Sequence, residues 1–221
     1  TNTSPTTFSV SDPAPLSMAG IINSNYNGQD VSCFGDSDGE ILASVTGGSP
    51  SYSFSIDGSN FGSNPMFSGL SSGSYTIYYS DANSCTNSET LTLNDPAALS
   101  GVLNLNQPIS CFGICDAEVQ FTVDANQTGT APYTYSIDGG LNFQNSSVFL
   151  SLCGNANYTV EVNDINSCSF TENISISEPA SITFSNSTSD YNGYEISCDA
   201  NNDGEIILFS VLGGTPNYAY S

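Results

Sequence analysis

Seven cysteines and 22 carboxylates are the side chains of this 221-residue sequence best equipped for chemistry. The cysteines fall on a grid. Cys33 and Cys85 take the same places as Cys111 and Cys168, Cys115 and Cys153 are an added pair, and Cys198 stands where Cys33 and Cys111 stand. No Cys-x-x-Cys occurs, and Cys111-x-x-x-Cys115 alone is a weak metal signature, so the spacing predicts disulfides and an oxidising compartment. The expected bridges are Cys33–Cys85, Cys111–Cys168 and Cys115–Cys153, with the partner of Cys198 expected beyond Ser221. Each would contribute about 4 kcal/mol through loop closure, less any strain.

The carboxylates cluster after each first cysteine, with Asp36 beside the first cluster: Asp38-Gly39-Glu40, Asp116-Ala117-Glu118 and Asp203-Gly204-Glu205. The third cluster lies within Asp199-x-Asn201-x-Asp203-Gly204, which opens like an EF-hand calcium loop, but the twelfth loop position is Ser210 rather than Glu. Two readings follow. Either Asp-Gly forms a turn and the Glu decorates the next strand, or these loops hold calcium. A second calcium candidate is a junction where Asp12, Asp95 or Glu178 meets Asp30 or Glu195. Carboxylate pairs can also hydrolyse glycosides. Among 22 acids some pair falls within reach by chance, and an active site copied into every repeat would be odd, so the expectation is no enzyme. Tyr26-Asn27-Gly28 and Tyr191-Asn192-Gly193 could stack on sugars, but their composition is that of turns.

Lys, Arg and His are absent, and the formal charge is −22. With no cation to neutralise phosphates, nucleic-acid binding and P-loop chemistry are excluded. With no His there is no Ser-His-Asp machinery and no imidazole for zinc. The charge repels anionic membranes, and no apolar run reaches the roughly 18 residues of a membrane span, so no membrane insertion is expected. Trypsin-like proteases find no Lys or Arg bond to cut. A scaffold or binding role remains, with no required cofactor.

The elements that position these residues repeat. Asp12-Pro13-Ala14, Asp95-Pro96-Ala97 and Glu178-Pro179-Ala180 are spaced 83 residues apart, as are Asp81-Ala82-Asn83-Ser84-Cys85 and Asp164-Ile165-Asn166-Ser167-Cys168. Gly47-Gly48-Ser49-Pro50-Ser51-Tyr52 returns at Gly213–Tyr218, and Ser-Ile-Asp-Gly at Ser55 and Ser136. The expected organisation is therefore 1–13, the last strand of a preceding repeat; 14–96 and 97–179, two full repeats; and 180–221, the first half of another. Within a repeat, Leu16–Asn23, Ile41–Val45, the alternating Tyr52–Ile56, an edge around Met66-Phe67, Tyr75–Tyr79 and Thr90–Leu93 read as strands. Short strands at this spacing, about seven per repeat, predict an all-β fold of immunoglobulin-like sandwiches in series. Leu70-x-x-Gly73-x-Tyr75 has the form of a tyrosine corner, with Leu152, Gly154 and Tyr158 as its counterpart.

Cys33-Phe34-Gly35, Asp38-Gly39-Glu40, Gly47-Gly48-x-Pro50-x-Tyr52, Leu70-x-x-Gly73-x-Tyr75 and Asp81-Ala82-Asn83-x-Cys85, in that order, resemble the SprB-repeat family. Such repeats occur in very large surface adhesins of gliding Bacteroidota exported by the type IX secretion system. The resemblance implies an extracellular, cell-surface stalk rather than an enzyme. Its implied partners are neighbouring repeats, the secretion and gliding machinery, and a surface polysaccharide or other extracellular ligand. The second repeat departs from the pattern: Ala117 replaces the Gly, residues 126–130 are inserted, and the extra cysteine pair appears. A second expectation is a chain of carbohydrate-binding modules attached to a secreted hydrolase.

Overall fold

The computed structural model describes residue 8 and residues 10–221, so most of the strand expected over 1–13 lies outside the described residues, and 10–16 carry no strand. The described chain holds fourteen strands and no helix. It divides into two compact units, the first made of the chain up to Ser100 with 123–133 and 163–170, the second of 101–122, 134–162 and 171–221.

The first unit carries β1 (Ser17–Ile22), β2 (Gly39–Thr46), β3 (Ser53–Ser55), β4 (Met66–Leu70), β5 (Gly73–Ser80) and β6 (Thr86–Leu93). They form two antiparallel sheets, β1-β2-β4 and β3-β5-β6. Period-two alternation decides which side chains meet between them. Met18, Ile41 and Ala43 from the first sheet pack with Phe54, Ile77, Tyr79 and Leu93 from the second, giving one closed core. Each strand expected from the sequence is present, and β4 lies at a sheet edge as expected. Six strands form rather than about seven. The stretch after β3 is taken up by an aspartate turn and one Phe54–Gly62 bridge, so no further ladder develops there. β6 begins earlier than its apolar residues suggest, because its polar start pairs backbone to backbone with β5 from Ser80–Thr86 onward.

The second unit is built on β7 (Gly101–Gln107), β8 (Ala117–Val123), β9 (Thr134–Ser136), β10 (Val148–Leu152), β11 (Ala156–Asn163), β12 (Ser169–Ile176), β13 (Thr183–Thr188) and β14 (Ile206–Leu212). Sheets β10-β8-β7 and β12-β11-β9 reproduce the topology of the first six strands. Val119, Phe121, Phe149 and Leu152 are buried on one sheet, and Tyr135, Val160, Val162 and Ile176 on the other. The rings of Phe121 and Tyr135 lie 6.2 Å apart between centroids. β13 and β14 pair as a two-stranded sheet whose Phe184, Ile206 and Phe209 are exposed. The fold is an immunoglobulin-like, all-β architecture.

Turns fix the ends. At Gly47, φ is +79° and a Cβ would lie 2.0 Å from the carbonyl oxygen of Pro15; Gly213, at φ +74°, faces the Ser181 oxygen at the same 2.0 Å. Only glycine fits such a close backbone approach. The tyrosine of each turn closes it, Tyr52 donating to the Gly47 carbonyl at 2.7 Å and Tyr218 to that of Gly213 at 2.5 Å. The tyrosine corner forms as expected: the Tyr75 hydroxyl donates to the Ser71 carbonyl at 2.9 Å, and that of Tyr158 to the Cys153 carbonyl at 3.2 Å.

The cysteines correct the sequence reading. Cys115–Cys153 forms as expected, but Cys33 bonds Cys168, with 5.5 Å between Cα atoms, and Cys85, Cys111 and Cys198 are free and exposed. The expected Cys33–Cys85 and Cys111–Cys168 bridges do not form. The reason is strand length. Asp30 and Gly35, beside Cys33, bond to Asn94 and Asp95 at the Gly73–Leu93 end of the β5–β6 ladder, while Cys85 lies in the turn at the Ser80–Thr86 end. Eight residues of strand span about 26 Å, and a disulfide tolerates no more than about 7 Å between Cα atoms. Cys168 is thereby committed to Cys33, which leaves Cys111 without its expected partner.

Candidate functional site

The residues singled out for chemistry assemble into two kinds of loop. In the first kind, the carbonyl of a cysteine accepts the N–H three residues on: Cys33 from Asp36 at 3.0 Å, Cys111 from Ile114 at 3.2 Å, Cys198 from Asn201 at 3.1 Å. The serine before each cysteine donates its N–H to the aspartate of the acidic motif. Ser32 bonds Asp38 and Ser110 bonds Asp116, both at 3.0 Å, and Ser197 bonds Asp203 at 3.1 Å. The Ser197 hydroxyl also bonds Asp203, and that of Ser32 bonds Asp36 at 2.9 Å. Tyr26 and Tyr191 donate their hydroxyls to the carbonyls of Asp38 and Asp203, so these tyrosines serve the loop. Ser24 and Ser189, which the sequence reading passed over, accept the N–H of Glu40 and Glu205, both at 3.0 Å. Their signal is a serine two residues before each tyrosine.

These bonds set the electrostatics. Burial works against the charge of Asp38, yet hydrogen bonds from Ser32 hold its carboxyl below the ordinary carboxylate range. The Ser110 and Ser197 side chains and amides do the same for Asp116 and Asp203. The glutamates reach out along the strands instead: Glu40 accepts from Asn23 at 2.7 Å and Glu118 from Asn106 at 2.9 Å. Asn201 donates to the Ser197 hydroxyl at 2.9 Å, and Asp199 is exposed.

The junction acids are engaged separately. Asp30 accepts the backbone and side-chain N–H groups of Asn94 at 2.9 and 3.0 Å. Asp95 accepts the Gly35 N–H at 3.2 Å and the Ser72 hydroxyl at 2.6 Å, and Glu178 accepts the Gly113 N–H at 2.9 Å and the Asn155 amide at 2.6 Å. Glu195 offers its carbonyl to Ser189, and Asp12 is exposed outside any strand. Among the described residues no three His, Cys, Asp or Glu side chains stand together as a metal set.

The second kind of loop is the β5–β6 turn and its β11–β12 counterpart. Asp81 and Asp164 are buried, each 6% exposed, and each organises the five residues that end in cysteine. One oxygen of Asp81 accepts the N–H groups of Asn83 and Cys85 at 3.0 and 2.8 Å, and the other that of Ser49 at 2.8 Å. Asp164 accepts from Asn166 and Cys168 at 2.8 and 2.9 Å, and from Thr130 at 2.7 Å. The N–H donors of Ser49 and Cys85 hold the Asp81 carboxyl below its ordinary range.

Within the first unit the two kinds of loop dock. Beside the Cys33–Cys168 bond, the Asn166 amide donates to the carbonyls of Tyr26 and Ser32 at 3.1 and 3.3 Å and accepts from Asn27 at 2.6 Å. Residues 25–61 match the SprB repeat. That segment contains the first cysteine loop, its acidic motif and the Gly47–Tyr52 turn. No curated protein matches the chain. Among solved structures, the three N-terminal domains of the bacteriophage RB49 highly immunogenic outer capsid protein are 15% identical, with a TM-score of 0.42 over 92% of this chain and 72% of that one. Domains 4 and 5 of the S-layer protein SbsC are 7% identical, with a TM-score of 0.28 over 76% of this chain and 100% of that one.

Proposed function

We propose that this chain is a stalk segment of a secreted cell-surface adhesin, built from sandwich domains in series with boundaries at 14–96, 97–179 and 180–221. The SprB match carries the reading, supported by two successive six-strand sets of one topology. Two disulfides accord with an extracellular location. Export by the type IX route, service in gliding, and attachment to a surface polysaccharide or other extracellular ligand follow from the same resemblance. The work is mechanical rather than catalytic: each domain adds on the order of 40 Å of reach, strands of up to eight residues plus loops.

Force–extension measurements test it. The Cys33–Cys168 bond closes a loop with a sequence separation of 135. Pulled from its ends without reductant, the chain is expected to withhold that loop, and with reductant to gain roughly 460 Å of contour at about 3.4 Å per residue. Full extension at low force in both conditions would remove the load-bearing role. Glycan-array binding by the chain would instead favour carbohydrate-binding modules of a secreted hydrolase.

A further inference from the structure

Three cysteine turns of one construction and two aspartate loops of another leave an imbalance. Cys33 is joined to Cys168, while Cys111 and Cys198 sit in the same turn as Cys33, and Cys85 ends the same loop as Cys168. Cys111 opens onto a groove of about 420 Å³ within the second unit, lined among others by Phe112, Pro179, Ile182, Gly214 and Thr215. The Gly214-Thr215 turn matters. In the first unit, Gly48-Ser49 and Gly129-Thr130 are the turns whose second N–H grips the loop aspartate, with glycine φ of 57° and 59°; Gly214 has 62°. The Cys111 groove thus combines a cysteine turn of the bonded kind with a turn of the aspartate-gripping kind. On one face of β13 and β14 the apolar side chains Phe184, Ile206 and Leu208 are exposed, whereas the Met18, Ile41 and Ala43 face of β1 and β2 is covered by β3, β5 and β6. The Asp-x-Asn-Ser-Cys loop is the turn of that covering sheet.

We propose that the Cys111 groove receives the Asp-x-Asn-Ser-Cys loop of a further covering sheet of this kind, and that Cys85 offers the same loop to a preceding cysteine turn. Disulfides then run from each repeat to the next instead of closing one repeat on itself. The inference rests on the tandem-repeat reading above. Each bond forms from two thiols, whose two protons and two electrons pass to a disulfide oxidant that leaves as two thiols.

The test uses the full chain carrying Cys198→Ser, so that only Cys85 and Cys111 are free. A peptide of the sequence 162–170, activated at its cysteine as the mixed disulfide with thionitrobenzoate, serves as the probe. The attacking thiolate forms the new disulfide and expels the aryl thiolate, so no other oxidant is needed. Peptide mapping at early times is expected to show Cys111 reacting about tenfold faster than Cys85, the advantage that one or two net hydrogen bonds supply. The Asn166→Ala peptide should lose that preference, and the simple aryl disulfide should show none. Equal rates at Cys85 and Cys111, or a preference that survives Asn166→Ala, would overturn the proposal. The force measurement can fail without this one failing, and the reverse, so the two readings are separable.

Discussion

The aspartates carry more of this structure than their exposure to solvent suggests. Asp57 accepts from the Ser55 hydroxyl, the Ser59 amide and both N–H groups of Asn60, and Asp138 from the Ser136 hydroxyl, the Leu141 amide and both N–H groups of Asn142, which holds both carboxyls well below the ordinary range. Asp81 does this while buried. A carboxyl whose folded pKa lies below its unfolded one contributes stability that is fully present above the unfolded value of 3.8 and is lost as pH falls through the folded value. Asp81→Asn is therefore expected to lower Tm at neutral pH, with the gap to the native chain closing below about pH 4. Thermal melts at steps of pH read this directly; a gap constant with pH would mean the charge of Asp81 contributes nothing.

At the scale of elements, the ladder between β5 and β6 and the core beneath it hold each sandwich shut. Ile77 lies midway along β5 with no exposure, against Ile41 and Leu93, whereas its neighbour Tyr78 points outward. Removing the Ile77 side chain should leave a cavity that rigid sheets cannot close. Ile77→Ala is expected to cost about 2–5 kcal/mol in chemical denaturation, while Tyr78→Thr, on the outer face, should cost less than about 1 kcal/mol. Equal losses at the two positions would show that the sheets do not pack as a sandwich in solution. The second set carries Ala117 at the place of Gly39. A Cβ at Gly39 would meet Leu93 at 2.8 Å and the Leu70 carbonyl at 2.9 Å, and Ala117 occupies its own place fully buried.

For the whole molecule, a charge of −22 without one cation means that every long-range electrostatic interaction within the chain is repulsive. Shortening the Debye length from about 30 Å at 0.01 M salt to about 8 Å at 0.15 M screens that repulsion. Tm is therefore expected to rise with sodium chloride, a direction opposite to that of proteins held by ion pairs. Calcium at about 5 mM, well above the affinity range of extracellular calcium modules, is expected to add nothing at matched ionic strength, because Asp38, Asp116, Asp203, Asp30, Asp95 and Glu178 already accept N–H or hydroxyl donors. A calcium-specific rise would place ions at Asp38, Asp116, Asp203 or the junction acids after all.

Composition and period-two alternation were enough to determine the all-β class, the positions of the strands that form and the edge strand, the Leu-x-x-Gly-x-Tyr spacing gave the tyrosine corner, and the appearance of Cys115 and Cys153 together in one repeat gave their pair, since each is local to one sandwich. The acidic motifs lead straight into the next strand rather than forming the expected Asp-Gly turn, which sits instead at the cysteine before them, and their serine donors were not legible, because a serine is common enough to carry no signal until the backbone brings it to the aspartate. What only the tertiary structure decided is the partner of Cys33. In an array with an 83-residue period, Cys85 and Cys168 occupy equivalent positions, and periodicity alone cannot choose between them. The choice is made by the length of β5, which carries Cys85 away to the far end of the ladder, and by the Asn166 contacts that bring Cys168 to the loop where Cys33 stands.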